Sequence, residues 1–111
     1  MSLSMHINVN GFDWEVLVVD SHDPKLIVDG TSRRGACWCG HQKIALSNEL
    51  TRTTALMTIG HELTHAFVWS TQSFVPESLN EEDLCNFVAL WAAPISELSK
   101  RVLDFFWPTG R

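Results

Sequence analysis

The chain has few basic residues, and this shortage argues against one broad class of function. Its 111 residues include 8 Lys and Arg against 13 Asp and Glu, which gives a formal net charge of -5. Nucleic-acid-binding proteins usually present a basic face to the phosphates. The two basic runs, Arg33-Arg34 and Lys100-Arg101, are interpreted as solvated surface. We therefore expect no nucleic-acid partner.

Long apolar segments and a disulfide framework are also missing. No stretch reaches the ~18 apolar residues that a membrane-spanning helix needs, and the N-terminal MSLSMHINVN has no charged region followed by an apolar one. Three cysteines, an odd number, do not make the disulfide framework of a small secreted protein. We find no repeat or linker, and the length suits one domain, residues 1–111. The chain is expected to be soluble and cytoplasmic, with no membrane partner.

The first half of the chain has the composition and period of strands. The segment HINVNGFDWEVLVVD is rich in Val and Ile and is divided by Asn10-Gly11, which predicts a hairpin. The LIV segment predicts a short strand. CWCGHQKIALS predicts an extended segment in which Ile44 and Leu46 face one side and Lys43 and Ala45 the other. We expect KIALS to be an edge strand of the sheet.

From about Thr51 the hydrophobic period becomes helical. Apolar residues recur at three- and four-residue steps: Leu56, Ile59, Leu63 and Phe67. A second helix is predicted to begin at Ser78, where SLNE is a capping box with Glu81 reaching back. Pro94 is expected to kink or end it, before a last helix in ISELSKRVLDFFW. Strands followed by helices predict an α+β fold with a small, mostly antiparallel twisted sheet.

The segment TIGHELTHAF places two histidines four residues apart and a glutamate directly after the first. On a helix, His61 and His65 project from one face, about 40° and about 6 Å apart, so both can bind one ion. Glu62 lies about 100° away, where it can reach a water on the metal. Imidazole ligands and a carboxylate base are what a hydrolytic Zn²⁺ site requires. The alternative is a helix surface with two histidines, but the uncharged flanks favour zinc.

A catalytic zinc needs a third protein ligand besides the histidine pair. The extended motif with a further Gly and His is absent, because Val68 and Thr71 stand at those positions. The acidic cluster NEEDLCN then supplies the candidates. Glu81 has the competing capping role, and for Asp83 stabilisation of the helix N-terminus is favoured.

Glu82 is the preferred third ligand. It shares a helix face with small residues, Cys85, Asn86 and Ala89, which allow close packing of the helices. One turn later, Asn86 is expected to orient a ligating histidine through its free ring nitrogen. Glu77 and Glu97 are the next candidates.

The chain contains no tyrosine, a residue that often stabilises the oxyanion in zinc peptidases. His41, His22 or Arg33 must then provide any side-chain donor, and His41 is preferred because it precedes the predicted edge strand. His41 also belongs to CWCGH, where Cys37, Cys39 and His41 would share one side of a strand. Four ligands are usual for structural zinc, and no fourth is evident, so ordinary thiols are favoured over a second metal site.

HELTHAF followed by EEDLCNFVA is similar to the gluzincin pattern, in which a glutamate from the next helix joins H-E-x-x-H. The order of a hairpin, QKIALSNEL, TIGHELTHAF and an E-x-x-(A or C)-N segment before a proline resembles the ImmA/IrrE-like metallopeptidases of bacterial mobile elements and phages. This similarity runs from about Ile7 to Pro94. Cys85 departs from the pattern, because alanine is usual at its position.

The resemblance implies a zincin-like fold with zinc on His61, His65 and Glu82, and with Glu62 as base. Family members are cytoplasmic zinc peptidases, some of which cut a partner repressor. A protein or peptide substrate, such as a repressor or regulator, is therefore implied.

The function expected from these residues is that of a zinc metalloendopeptidase. Glu62 would deprotonate the attacking water and pass the proton to the leaving amine, and an extended substrate would pair with KIALS. The alternative is a non-catalytic zinc module that binds a regulatory protein, although such a module has no use for Glu62. Metal-dependent hydrolysis of a non-peptide substrate is a third hypothesis.

Overall fold

Asn10 and Gly11 join the first two strands in the computed structural model, which describes residues 3–72 and 80–109. Strands β1 (Leu3–Val9) and β2 (Phe12–Val19) pair antiparallel. Asn10 has φ 51° and Gly11 φ 91°, the left-handed backbone that a two-residue hairpin turn requires at both positions. The predicted hairpin is confirmed.

The remaining strands build one mixed sheet and one short ribbon. They are β3 (Ile27–Val28), β4 (Thr31–Ser32), β5 (Gly35–Trp38) and β6 (Lys43–Ser47). The main sheet has the order β1-β2-β6-β5, with β2 and β6 parallel and the other pairs antiparallel, while β3 and β4 form the ribbon. The α+β class with a mostly antiparallel sheet is confirmed at this level.

The predicted position of KIALS at the sheet edge is wrong. A 3₁₀ turn at Cys39–His41, followed by Gln42 at φ 55°, reverses the chain, so β5 folds back on β6 and takes the edge. Strand β6 is therefore central and covered on both faces. Ile44 and Leu46 lie in the main core, whereas Ala45 packs on the opposite face with Val19 and Leu26, as the alternation predicts.

The first helix, α1 (Arg52–Thr71), carries the histidine motif. Thr51 caps it by accepting a hydrogen bond from the backbone amide of Thr54, whose hydroxyl in turn accepts one from the amide of Thr51. Ile59, Leu63 and Phe67 of the predicted apolar stripe are buried, while Leu56 is 45% exposed. Helix α1 packs on β5 and β6 on one side and on the second helix on the other.

The second helix, α2 (Glu81–Phe106), runs without a break through Pro94, so the prediction that the helix ends there and a separate last helix follows is wrong. Pro94 and Leu90 are exposed, and the carbonyl that the proline leaves without its helical donor can face water. The predicted cap Ser78 lies outside the described residues. Asn80 caps α2 by accepting from the amide of Asp83, and Glu81 is the first helical residue rather than part of a capping box.

The two helices pack antiparallel. Arg52 of α1 donates to the Asp104 carboxylate at 2.7 Å and to the carbonyl of Trp107, and Phe67 meets Trp91 with ring centroids 5.9 Å apart. Residues at the start of α1 therefore lie beside the end of α2. None of the helices within residues 3–72 and 80–109 is long and apolar enough to cross a membrane.

Candidate metal centre

His61, Glu62 and His65 converge on the third and fourth turns of α1. One ligand atom from each lies within 4.8 Å of the others, and the two imidazole centroids are 5.0 Å apart. Both histidines are exposed, whereas Glu62 is buried. Two imidazole nitrogens on one helix face suit zinc, and the carboxylate of Glu62 lies beside them, where the predicted base is expected.

Glu62 is a buried carboxylate beside the edge strand, only 6% exposed. Burial raises its pKa above the ordinary value, while the charges of His61 and Arg33 act in the opposite direction. A raised pKa makes the carboxylate a stronger base toward a water molecule.

The surroundings of His65 favour the neutral form of its imidazole ring. Desolvation of its ring lowers the pKa of His65, and the neighbouring His61 lowers it further. An uncharged imidazole is the form that binds a metal ion, so this environment favours ligation.

Gly35 allows β5 to pack closely against α1 beside Glu62. A Cβ atom placed on Gly35 would lie 2.6 Å from Cγ2 of Thr58 and 3.3 Å from Oε2 of Glu62. The Thr58 hydroxyl donates to the carbonyl of Thr54 at 2.9 Å, which fixes the orientation of that side chain. A side chain at position 35 would have no room. The only feature of the sequence that could have indicated this close contact is a glycine where a strand begins.

A cleft of about 380 Å³ opens beside His61 and Glu62. One wall is formed by the residues directly before β5, and the other by the face of α1 that carries Met57 and His61. The lining residues are Arg33, Arg34, Gly35, Thr54, Met57, Thr58, His61 and Glu62. The two arginines, interpreted from sequence as solvated surface, are indeed exposed but form a wall of this cleft.

Glu82, the predicted third ligand, lies on the exposed first turn of α2 and is not part of the group formed by the histidine pair. Trp91 packs beside Phe67, and Glu82 precedes Trp91 by nine residues, about 13 Å along the helix axis, in the direction away from His65. Asn86 is exposed on the same half of α2. Both roles stay predictions, and they require the first half of α2 to move toward α1.

The preferred oxyanion candidate lies elsewhere on the surface. His41 lines a separate cavity of about 330 Å³ with Pro24, Lys25, Trp38 and Lys43. His22 is exposed in the loop beside Asp20. Of the three predicted donors, Arg33 is the one that lines the cleft with Glu62.

The thiols of Cys37 and Cys39 lie 3.6 Å apart, without His41 in a common metal-binding group among the described residues. Burial raises the pKa of Cys37, and the nearby Cys39 and Glu62 raise it further. The preference for ordinary thiols stays a prediction. Trp14 is fully buried, and Trp91 and Trp107 pack against the main core.

Comparison of the chain with protein-family models, with curated proteins and with solved structures finds no match.

Proposed function

We propose that the chain is a zinc-dependent metallopeptidase of zincin-like type, related to the ImmA/IrrE-like enzymes, that acts on a protein or peptide. The observation that carries the proposal is the convergence of two histidines on one helix face with a buried glutamate, beside a cleft that His61 and Glu62 line. A helix that carried two histidines by chance would have no need to bury the intervening carboxylate.

His61 and His65 would hold the ion through their ring nitrogens. Zinc, when bound there, would supply Lewis acidity, polarising the scissile carbonyl and lowering the pKa of water toward about 7. The lowered pKa of His65 keeps its ring in the form that ligates.

Glu62 would move the proton. Its carboxylate accepts a proton from the attacking water and then donates it to the nitrogen of the leaving amine, which cannot depart as an anion. The raised pKa of Glu62 supports the first half of this transfer, because it makes the carboxylate a stronger base. Burial under Gly35 holds the carboxylate in place for the reaction.

Glu82 is the proposed third ligand, and Asn86 the proposed partner of a ligating histidine. Pro94 lacks the amide that would bond to the preceding turn, and α2 is therefore expected to bend most easily there. Bending at Pro94 would change the distance between the first half of α2 and α1. Ligation by Glu82 would also require a shift along the axis of α1, because Glu82 lies about 13 Å beyond Trp91 in the direction away from His65.

The test is Glu62→Gln, which keeps the size of the side chain and removes proton transfer. We expect the zinc content to remain at about one ion per chain and hydrolysis of a proteome-derived peptide library to fall at least ~100-fold. Glu49→Gln, at an exposed position in the loop before α1, is the matched control and is expected to keep full activity.

Full activity in Glu62→Gln would overturn the mechanism. Zinc binding by the unmodified chain with no hydrolysis of any library peptide would instead support a non-catalytic zinc module. Cleavage sites read by mass spectrometry from the same library would define the substrate class.

A further inference from the structure

Arg33 and Arg34 are two exposed cations in a protein of net negative charge. Three other basic side chains are paired: Lys25 with Asp23, Lys43 with Glu15, and Arg52 with Asp104. Within residues 3–72 and 80–109, the structure gives no ion pair to Arg33 or Arg34. Their guanidinium groups are available to a ligand.

Both arginines line the cleft that contains His61 and Glu62. Arg33 lies near enough to Glu62 for its charge to affect the carboxylate. The opposite wall carries Met57, a large apolar side chain that is 72% exposed. The cleft therefore combines an apolar contact with two cations next to the reacting position.

We propose that Arg33 and Arg34 form a subsite for a carboxylate of the peptide substrate, adjacent to the bond that is cut. The planar guanidinium group binds carboxylates through paired hydrogen bonds, which makes arginine selective for this group. The subsite rests on the proposed function, because it assigns a substrate class to the same cleft.

The direction of the chain indicates the side of the cut on which the carboxylate lies. Strand β5 is the edge of the main sheet, so one side of its backbone has no strand partner among residues 3–72 and 80–109. A substrate that pairs antiparallel with β5 at Gly35, beside Glu62, places its C-terminal portion next to the residues that precede β5. Those residues are Arg33 and Arg34. The carboxylate is either an Asp or Glu side chain after the cut or the free C-terminus of the substrate.

Binding can be measured without hydrolysis in the full chain carrying Glu62→Gln. The probes are four short alanine-leucine peptides: one with an internal glutamate and an amidated end, its glutamine counterpart, and an uncharged sequence with a free or an amidated C-terminus. Nuclear magnetic resonance titration of the arginine side chains and backbone amides gives each Kd. Because no bond is cut, a failure of the peptidase proposal leaves this measurement intact.

We expect the glutamate peptide, the free-acid peptide or both to bind about tenfold or more tightly than their neutral counterparts. A preference within the first pair identifies a side-chain carboxylate, and one within the second pair identifies the C-terminus. The preference should disappear in Arg33→Gln/Arg34→Gln and persist in the control Arg101→Gln, which replaces an exposed arginine on α2. Equal binding of all four peptides, or a preference that survives the double substitution, would overturn the subsite.

Discussion

A methyl group at Gly35 has no free space in the packing of β5 on α1. We expect Gly35→Ala to destabilise the protein by about 1–3 kcal/mol, because its Cβ would meet a β-branched side chain, Thr58, that is already hydrogen bonded. Hydrolysis should also fall, since Glu62 lies at the same contact. Thermal unfolding and peptide cleavage measure the two effects.

Gly60 is the matched control, because a Cβ there meets Ser99 at an ordinary 3.8 Å. Gly60→Ala, in the middle of α1, should stabilise the helix by about 0.5–1 kcal/mol. Equal melting temperatures for the two variants would contradict the close contact at Gly35.

The cysteines are predicted to differ in reactivity. Cys85 is exposed, whereas Cys37 is partly buried and its pKa is raised. Since the thiolate is the reactive form, iodoacetamide at pH 8 should modify Cys85 first and Cys37 last. Mass spectrometry of time points gives the order, and Cys85→Ser should abolish the fast phase. Rapid modification of Cys37 would contradict its burial.

The residues of the site were predictable to different degrees. His61, Glu62 and His65 were identified from sequence because all three lie within five residues of one helix, where local geometry fixes their relation. Gly35 and Arg34 lie far away in sequence, and they meet the site only because the sheet order places β5 beside α1. Long-range packing of this kind leaves no periodic signal in the sequence.

At the scale of single elements, the parallel pairing of β2 and β6 includes a cross-strand ion pair. Glu15 and Lys43 are register partners, and their charged atoms are 2.5 Å apart. The hydrogen bond from Lys43 lowers the pKa of Glu15 below its ordinary 4.5. A lowered pKa in the folded state means that this contribution is present above pH 4.5 and is lost as the pH falls through the folded-state value.

Below pH 4.5 the parent chain loses the stabilisation that this ion pair provides. Glu15→Gln lacks the pair at every pH, so it should lose less stability than the parent chain on acidification. The effect should be under ~1 kcal/mol because water screens the partly exposed pair. Urea unfolding at pH 7 and pH 3 measures it. The control is Glu49→Gln, at an exposed site that has no ion pair within the described ranges 3–72 and 80–109. The same pH dependence in Glu15→Gln and in the parent chain would rule out the contribution.

The elements themselves were predicted better than their order. The Asn10-Gly11 turn and the apolar stripe of α1 are local signals, and the structure has the turn and buries the stripe except for Leu56. The edge position of KIALS was wrong because strand order depends on which strands meet in space. The helix end at Pro94 was wrong because exposure of that turn to water makes the lost hydrogen bond tolerable.

At the scale of the whole molecule, the two halves of α2 differ in how much of their surface is buried against the rest of the protein. The first half, residues 81–93, has one buried residue, Phe87, and leaves large apolar side chains exposed: Leu84, Val88 and Leu90. The second half buries Leu98, Ser99, Val102 and Leu103. We expect amide hydrogen exchange to be markedly faster in the first half. Uniform protection along α2 would contradict this difference in packing.

Zinc should raise the free energy of unfolding and change the pattern of amide hydrogen exchange along α2. At a free concentration of 100 times its Kd, the ion would add about 2.7 kcal/mol to the free energy of unfolding. His61→Ala and His65→Ala should remove this gain, whereas His6→Ala, on the exposed face of β1, should keep it.

If Glu82 is the third ligand, zinc should also slow exchange in residues 81–93, and Glu82→Ala should abolish that protection together with zinc binding. Glu81→Ala should retain both, and Asn86→Ala should weaken zinc affinity by roughly 10-fold or more. Retention of zinc by Glu82→Ala would assign the third position to another residue.

The parallel pairing of β2 with β6 makes residues 20–42 an excursion that leaves the sheet and returns to the neighbouring strand position. Both arginines of the cleft lie in that excursion, while the histidine motif lies outside it. Lengthening a closed loop has a small entropic cost, about 0.6 kcal/mol for each doubling. Under the proposed function, the wall that carries the two arginines could therefore be exchanged or extended at the β3–β4 ribbon without redesign of the helix that carries the histidine motif, which would allow one scaffold to acquire new targets.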